Sequence, residues 1–182
     1  MPTVKVEDAI RDLNDGNVIL YPTDTVYGLG CKINNKEGIS RIYKIKGREE
    51  NNPLSVAFSD IEQLSQYADI SDNEKRTIVE KLKEKPYTFI VKKKEGKISN
   101  FISKTDAIGV RIPDHPFVRE ICSKAGPIIS TSANKSGENA PATLEDIAKE
   151  IICRVDLILI GECKYGKPST VYDLINDKII RE

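Results

Sequence analysis

Short apolar segments suited to β-strands alternate with amphipathic segments suited to helices along the whole 182-residue chain. This alternation restricts the choice of fold, because strands and helices that interleave in sequence pack as a sheet covered by helices. The chain contains no internal repeat, low-complexity segment or linker that would divide it. We therefore predict one α/β domain over residues 1–182.

Apolar spacing and capping patterns predict the positions of the helices. In a capping box a hydroxyl residue precedes the helix and a carboxylate follows three positions later, as at Ser59, Ser71 and Thr143. The predicted helices run from Val6 to near Gly16, from about Ile39 to Lys46, after Ser59, after Ser71, after Pro116, and from Thr143 to near Ile152. The predicted strands are residues 18–21, 54–58, 87–92, 108–112, 127–130, 155–160, 169–174 and 178–180, with residues 23–30 irregular.

The charge balance excludes one class of protein. The chain has 28 Lys and Arg residues and 28 Asp and Glu residues, so its formal net charge is zero and a uniformly cationic surface is excluded. A local basic patch remains compatible with this balance. No apolar run approaches the roughly 20 residues that span a bilayer, and the N-terminal segment lacks the apolar core of a signal peptide. We expect a cytoplasmic protein without a membrane partner.

The rare residues restrict the chemistry. The four cysteines include no C-x-x-C pair, so free thiols are favoured over a disulfide framework or a thiolate zinc site. His115 is the single histidine, which excludes multi-histidine metal sites, and its Pro-Asp-His-Pro context is typical of a turn. We predict no protein metal site and, for an enzyme, a mechanism that needs no histidine.

Residues 161–167 match the first seven positions of a phosphate-binding P-loop. The eighth position is Pro168 instead of Ser or Thr, and the following residues suit a strand instead of the helix that such a loop must open. A P-loop is therefore not predicted here.

Polar and basic residues cluster at strand and helix ends in four segments: residues 21–30, 46–54, 109–113 and 130–137. Each segment alone has a structural explanation: Lys46 and Arg48 could offset a helix dipole, Arg111 could lie on an exposed edge, and the serine-rich loop could be a connector. Together, two guanidiniums, one ammonium and several hydroxyl and amide groups favour an anion-binding site.

These segments also resemble the YrdC/Sua5 family of threonylcarbamoyl-AMP synthases. The resemblance rests on residues 22–30 (Pro-Thr-Asp-Thr-Val-Tyr-Gly-Leu-Gly), Lys-Gly-Arg at 46–48 with Asn-Pro-Leu at 52–54, Gly-Val-Arg-Ile-Pro at 109–113, Ser-Ala-Asn at 132–134 with Ser-Gly at 136–137, and Ser-Thr-Val-Tyr-Asp at 169–173. The matches occur in the family's order and cover nearly the whole chain, which corresponds to the short form with the YrdC-like domain alone. The resemblance implies a twisted mixed sheet with flanking helices around a concave, positively charged groove.

The resemblance further implies an activity. Members of this family make threonylcarbamoyl-adenylate and pyrophosphate from L-threonine, bicarbonate and ATP, with Mg²⁺ arriving on the ATP. A partner transferase of the Kae1/TsaD type then uses the adenylate to modify adenosine 37 of tRNA, so that contact with tRNA is expected to be mainly indirect.

Roles are carried over only at matching positions. The resemblance gives Lys46 and Arg48 catalytic roles; ATP-binding roles to Lys46, Arg48, Asn52, Ser132, Asn134 and Arg181; and threonine-binding roles to Thr25, Tyr27, Arg111, Ser130 and Thr170. Three positions depart from the common pattern: Asp24 replaces a glutamate, Ala57 a histidine found in some members, and Ala140 a frequent serine.

Two alternatives stay open at this point. A non-catalytic RNA-binding module could also use a basic groove, although a neutral chain with 7 Tyr, 4 Phe and no Trp offers few stacking surfaces. A related carbamoyl-adenylate enzyme with another acceptor would keep the mechanism and change the substrate.

Overall fold

The computed structural model describes residues 6–182, so the first five residues of the predicted 1–182 domain lie outside the described part of the chain. The helices are α1 (Val6–Asn14), α2 (Lys36–Lys46), α3 (Ile61–Ser65), α4 (Asp72–Leu82), α5 (Pro116–Ala125) and α6 (Lys149–Ile152). The strands are β1 (Ile19–Tyr21), β2 (Gly28–Gly30), β3 (Val56–Ala57), β4 (Ala68–Asp69), β5 (Tyr87–Lys93), β6 (Ala107–Arg111), β7 (Ile128–Ile129), β8 (Thr131–Ser132), β9 (Leu157–Ile158), β10 (Thr170–Asp173) and β11 (Lys178–Arg181).

The strands form two mixed sheets, which confirms the predicted α/β class with mixed pairing. One sheet has four strands in the order β8-β2-β1-β9, and the other has seven, in the order β11-β10-β5-β6-β3-β7 with β4 beside β5. The pairs β1–β9, β3–β6 and β5–β10 are parallel and the remaining pairs are antiparallel. No helix among residues 6–182 is long and apolar enough to cross a membrane.

Strand β1 is buried on both faces and divides the apolar interior into two clusters. Leu20 packs in the larger cluster, between the two sheets and α2, whereas Ile19 and Tyr21 pack against α1 and α5. The alternation follows from the two-residue period of a strand. Because both faces are apolar, β1 is a continuous apolar run, and polar residues begin where the strand ends.

The ends of α2 are well defined by local hydrogen bonds. Asn35 caps the N-terminus by accepting a hydrogen bond from the Gly38 amide at 2.9 Å. At the other end Gly47 takes the left-handed conformation, with φ of 56°, which suits glycine because it has no Cβ. This turn ends the helix between Lys46 and Arg48, so both cations lie at the same helix end.

The capping predictions have mixed outcomes. The box at Ser71 is confirmed, with both reciprocal bonds to Glu74 present. The box at Ser59 is wrong: Asp60 is the cap of α3 and accepts from the Gln63 amide at 2.7 Å, while the Ser59 hydroxyl donates to Asp60. An aspartate one position later thus takes over the capping bond.

The helix predicted from Thr143 is also wrong over most of its length. The Thr143 amide and hydroxyl both donate to the Asp146 carboxylate, at 3.0 and 2.9 Å, but residues 143–148 form turns and only α6 is helical. Short polar side chains that bond to nearby backbone compete with helix formation, and here the turn is the result.

Strands β2, β4 and β8 were not predicted, because each has only two or three residues and little apolar content. In β2, Gly30 permits a close approach of the chain. A Cβ at this position would lie 2.7 Å from the Ile129 carbonyl oxygen and 2.8 Å from Cε1 of Tyr21. Glycine therefore lets residue 129 of the larger sheet lie against the smaller sheet.

We expect Gly30→Ala to lower the free energy of unfolding by about 1–3 kcal/mol, the usual cost of overpacking a filled interior. Gly28→Ala in the same strand is the matched control, because its Cβ would meet atoms no closer than 3.4 Å. Urea unfolding of both variants measures the difference. Equal losses for the two would contradict the close-approach explanation.

Candidate functional site

A cavity of about 550 Å³ opens where the polar ends of both sheets meet, and its volume suits a small-molecule ligand. We call it the cationic cavity. It is lined by Thr25, Val26, Lys46, Arg48, Pro53, Ser55, Thr88, Arg111, Ser130, Thr131, Ser132, Asn134, Ser136, Gly137, Glu138, Asn139, Ala140, Gly166, Lys167, Pro168, Ser169 and Arg181. All four segments singled out in the sequence therefore contribute to one cavity.

The lining is strongly positive although the chain is neutral. Five cations line it, from Lys46, Arg48, Arg111, Lys167 and Arg181, against a single carboxylate, that of Glu138, within the described lining. Such a concentration of cations around a concave surface favours a polyanionic ligand and raises its local concentration.

Lys46 is 2% exposed and joins the end of α2 to the serine-rich loop. Its ammonium donates to the carbonyl oxygens of Ser132 and Asn134, the latter at 2.8 Å, and its own carbonyl accepts from the Ser136 amide at 2.8 Å. Burial lowers the pKa of Lys46 to about 8, and the charge of Arg48 acts in the same direction. Lys46 is thus both a cation of the cavity and a tie between two of its walls.

Arg48 orders the loop that follows it. Its Nε donates to the Asn52 carbonyl at 3.2 Å and its Nη2 to the Pro53 carbonyl at 3.0 Å. These two bonds use one edge of the guanidinium, and Nη1 makes no protein hydrogen bond among the described residues. A partly exposed guanidinium held in this way can contact an anion without first ordering its side chain.

Arg111 forms a buried ion pair with Asp24. Nη2 lies 2.8 Å from the Asp24 carboxylate, and Nη1 donates to the Thr25 hydroxyl at 2.9 Å. The second oxygen of Asp24 accepts from the Asp114 amide at 3.2 Å. Asp24 follows β1 in the smaller sheet and Arg111 ends β6 in the larger one, so the pair connects the two sheets at the cavity.

Two lining residues carry buried polar atoms that lack a partner among the described residues: Nε of Arg111 and Oδ1 of Asn134. The Asn134 amide nitrogen is satisfied, donating to the carbonyls of Lys135 and Glu138 at 2.9 and 2.8 Å. Buried unsatisfied groups are rare in proteins and concentrate at functional sites. Here they offer one donor and one acceptor next to the cavity.

The structure places eight of the predicted site residues around the cationic cavity: Thr25, Lys46, Arg48, Arg111, Ser130, Ser132, Asn134 and Arg181. Arg181 reaches it from β11, where its Nη2 donates to the Ser169 carbonyl at 3.0 Å. Ser130, 5% exposed, follows β7 and donates its amide to the Ser55 carbonyl at 2.8 Å.

Three predicted residues lie outside the described lining. Tyr27 is buried, and its hydroxyl bonds to Gly161, donating to the carbonyl at 2.7 Å. Asn52 is exposed and contributes its carbonyl to Arg48. Thr170 is buried in β10 beside the lining residue Ser169. A ligand role for each of these three residues stays a prediction.

The lining residues that the sequence analysis did not assign include Ser55, Thr88, Lys167 and Ser169. The hydroxyls of Thr88 and Ser169 are 2.7 Å apart and become neighbours only through the parallel pairing of β5 with β10. Ser55 packs closely on Gly109 of the neighbouring strand, where a Cβ would lie 2.9 Å from the Ser55 hydroxyl, and this proximity is visible only in the structure. Lys167 belongs to the segment rejected as a P-loop, which is indeed followed by strand β10.

The two alanine departures differ in position. Ala140 lines the cavity, whereas Ala57 is fully buried in the smaller apolar cluster.

His115 stands at the N-cap of α5 without a side-chain capping bond and does not line the described cavity, and burial lowers its pKa. The four cysteines are unpaired.

Known proteins are similar to this chain over most of its length. The Sua5/YciO/YrdC family model, described as "Telomere recombination", matches residues 11–182. A putative threonylcarbamoyl-AMP synthase of Methanocaldococcus jannaschii is 40% identical over 171 residues, covering 93% of this chain and 80% of its own length. A threonylcarbamoyl-AMP synthase of Vibrio campbellii is 35% identical over 181 residues, covering 97% of both chains.

A solved structure, P. abyssi Sua5 complexed with L-threonine, is similar to this fold with a TM-score of 0.85 and 29% sequence identity. The similarity covers 93% of this chain, and the chain spans about half (51%) of the length of that Sua5.

The Asp24–Arg111 pair yields a stability prediction. We expect Asp24→Asn to lower the free energy of unfolding by about 3–5 kcal/mol, because it leaves a buried guanidinium without its counter-charge. Asp114→Asn is the matched control, since it breaks an exposed ion pair with Lys164 and should cost far less. Denaturant unfolding near neutral pH compares the two, and similar losses would show that the buried pair is not the stabilising element.

Proposed function

The chain belongs to the Sua5/YciO/YrdC family, and we propose that it is a threonylcarbamoyl-AMP synthase, making threonylcarbamoyl-adenylate and pyrophosphate from L-threonine, bicarbonate and ATP. The observation that carries this proposal is the cationic cavity, in which five cations surround a space of small-molecule size. The relatives that share nearly the whole chain carry the same synthase name.

The proposed reaction has two steps. The threonine amine and bicarbonate combine to a carbamate with loss of water, and a carbamate oxygen then attacks the α-phosphorus of ATP. The bond from that phosphorus to the bridging oxygen breaks, and pyrophosphate leaves with its electron pair. Negative charge on the phosphoryl oxygens is stabilised by preorganised cations, and the remaining acceleration comes from positioning. No histidine base is needed.

In this proposal the lining residues form two groups, one that binds the phosphates and the adenylate and one that binds threonine. Lys46, Arg48 and Arg181 contact the phosphates and the adenylate, together with Ser132 and Asn134. Arg111, beside Thr25 and Ser130, is assigned to the threonine carboxylate, because hydrogen bonds between a guanidinium and a carboxylate are strong. The partnerless Arg111 Nε is a donor that such a carboxylate would satisfy.

Mg²⁺ is proposed to enter with ATP. Among residues 6–182 no cluster of three or more His, Cys, Asp and Glu side chains suits a metal ion, and the described lining supplies one carboxylate, Glu138. This donor set fits an ion coordinated mainly by phosphate oxygens and water. When bound, Mg²⁺ would neutralise charge on the departing pyrophosphate, while the protein cations hold the remaining oxygens.

The adenylate would pass to a transferase of the Kae1/TsaD type, which places the threonylcarbamoyl group on adenosine 37 of tRNA. On this view the chain meets tRNA mainly through that partner, and the reaction takes place in the cytoplasm. The non-catalytic RNA-binding module is not favoured, since full-length relatives carry an enzyme name.

The test is turnover with labelled ATP, bicarbonate and pyrophosphatase, with and without L-threonine. We expect a labelled adenylate and pyrophosphate release that require both threonine and bicarbonate. Serine and other amino acids replace threonine in parallel reactions to test for another acceptor. Turnover that continues without threonine or without bicarbonate would overturn the proposal.

Arg48→Ala should lower kcat/KM by about 100-fold, the usual effect of removing one donor to a developing charge. The overall fold should be kept, because the lost bonds reach only the exposed loop at residues 52 and 53. Lys44→Ala is the matched control, because Lys44 is exposed on the same helix and does not line the described cavity. Lys46 is a less suitable position for this test, since removing its side chain would also break its hydrogen bond to the serine-rich loop. Equal turnover of the two variants would remove Arg48 from the catalytic set.

The lowered pKa of Lys46, about 8, gives ATP binding a pH dependence. The charged amine binds phosphate, so ATP affinity should fall as pH rises above 8, and binding between pH 8 and 9 should take up a proton. Calorimetry in buffers of different ionisation enthalpy measures this uptake.

Stability should show the opposite trend. The unfolded lysine keeps its proton up to about pH 10.5, so between pH 8 and 10.5 the unfolded state binds more protons and the contribution of Lys46 to stability rises with pH. For ATP binding, proton release instead of uptake between pH 8 and 9 would contradict the assignment of Lys46 to the ATP phosphates.

A further inference from the structure

A second and larger cavity, of about 1100 Å³, lies away from the cationic cavity. We call it the distal cavity. It is lined by Lys32, Ile33, Asn34, Lys36, Tyr67, Asp69, Lys92, Lys93, Glu95, Gly96, Lys97, Ile98, Ser99, Asn100, Asp106, Ala125, Gly126 and Pro127. The proposed synthase reaction uses none of these residues.

The two cavities lie at opposite ends of the same elements. Helix α2 begins at Lys36 in the distal cavity and ends at Lys46 in the cationic cavity, a rise of about 15 Å. Strand β5 likewise runs from Thr88 in the cationic cavity to Lys93 in the distal one. A ligand of the distal cavity would therefore be separated from the adenylate by the body of the domain.

The distal cavity is rich in lysines without ionic partners. The five lining lysines are Lys32, Lys36, Lys92, Lys93 and Lys97. Among the described residues, none of their ammonium groups lies within 4.0 Å of a carboxylate oxygen. Residues 92–104 alone hold five lysines against the single acid Glu95. In a chain of zero net charge, this is a marked local excess, and it favours an anionic partner.

Two of the five lysines are held by neutral groups. Lys93 donates to the Asn100 side chain at 2.9 Å and to the Ser103 carbonyl at 2.8 Å, and Lys32 donates to the Asn14 side chain at 2.9 Å. These bonds order the side chains without neutralising their charges. The ammonium groups remain available to phosphates, which bind lysine as a point charge.

An aromatic ring accompanies the lysines. Phe101 is 50% exposed, next to the lining residue Asn100, and the Lys36 ammonium lies 5.2 Å from the centre of its ring. In proteins that bind single strands, aromatic rings beside cations stack unpaired bases.

Hydrogen-bond acceptors line the distal cavity together with the cations. The carboxylates of Asp69, Glu95 and Asp106 line the distal cavity together with the side-chain amides of Asn34 and Asn100. Carboxylates repel phosphates but accept hydrogen bonds from ribose 2′-hydroxyls and from the amino groups of bases. A ligand that contains phosphate, ribose and base would use all of these groups.

We propose that the distal cavity binds a single-stranded RNA segment, with the lysines on its phosphates and Phe101 on an unpaired base. The lysine excess would also attract an acidic protein, but such a partner has no use for the exposed ring and the carboxylates. The proposal does not rest on the synthase activity, because the two cavities share no described lining residue.

The test is fluorescence anisotropy with a labelled 20-nucleotide single-stranded RNA at 50–200 mM KCl. In the double variant Lys92→Glu/Lys97→Glu we expect binding at 100 mM KCl to weaken more than tenfold. The slope of log Kd against log [KCl] should fall by roughly 1 to 2, as expected for two lost phosphate contacts. Phe101→Ala should weaken binding roughly tenfold without changing that slope.

Two controls separate this site from other sources of RNA affinity. Lys75→Glu/Lys83→Glu makes the same charge change on α4 and at its C-cap, outside the described lining, and should bind RNA nearly as well as the natural chain. Arg48→Ala and saturating ATP address the cationic cavity and should leave RNA binding unchanged. Circular dichroism and thermal unfolding verify that each variant is folded.

Several results would overturn the proposal. One is the absence of RNA binding at 50 mM KCl, and another is displacement of RNA by ATP, which would place the RNA in the cationic cavity. Equal binding of DNA of the same sequence, together with no effect of Phe101→Ala, would show a general anion surface. Equally effective competition by polyglutamate would point to an acidic protein as the partner.

Discussion

The buried ion pair between Asp24 and Arg111 connects the two sheets at the point where the site forms. Asp24 comes from the loop after β1 and Arg111 from the end of β6, and both are nearly inaccessible to solvent. A buried guanidinium is tolerated only with a counter-charge and hydrogen bonds, so its position is closely determined. Thr25, which accepts from the same guanidinium, is placed with it.

A neutral chain can still carry one strongly basic cavity and a second in which five lysines outnumber three carboxylates. The cationic cavity and the distal cavity lie at opposite ends of α2 and β5, and each gathers five cations, while acidic residues elsewhere serve as helix caps and surface ion pairs, such as Asp60 and Glu74. The two surfaces differ in chemistry. Three of the five cations of the cationic cavity are arginines, which suit bidentate contacts, whereas the cations of the described distal lining are all lysines, which bind phosphate as point charges.

Much of the local structure could be predicted, and the failures have identifiable causes. The long strands β5 and β6 and the helix after Ser71 have clear periodicity or capping, and they occur close to where they were expected. The helix from Thr143 failed because its side-chain bonds also stabilise a turn. Two-residue strands such as β8 leave no periodic signal, since they exist only through their partners.

The sequence by itself determined the alternation of strands and helices and the four polar segments, because apolar period, capping and turn residues act over a few neighbouring positions. Only the tertiary structure decided which of these residues share a cavity. Pairing of β5 with β10 brought Thr88 to Ser169, burial lowered the pKa of Lys46, and packing turned Tyr27 away toward Gly161. These outcomes depend on contacts between residues far apart in the chain, which no local pattern encodes.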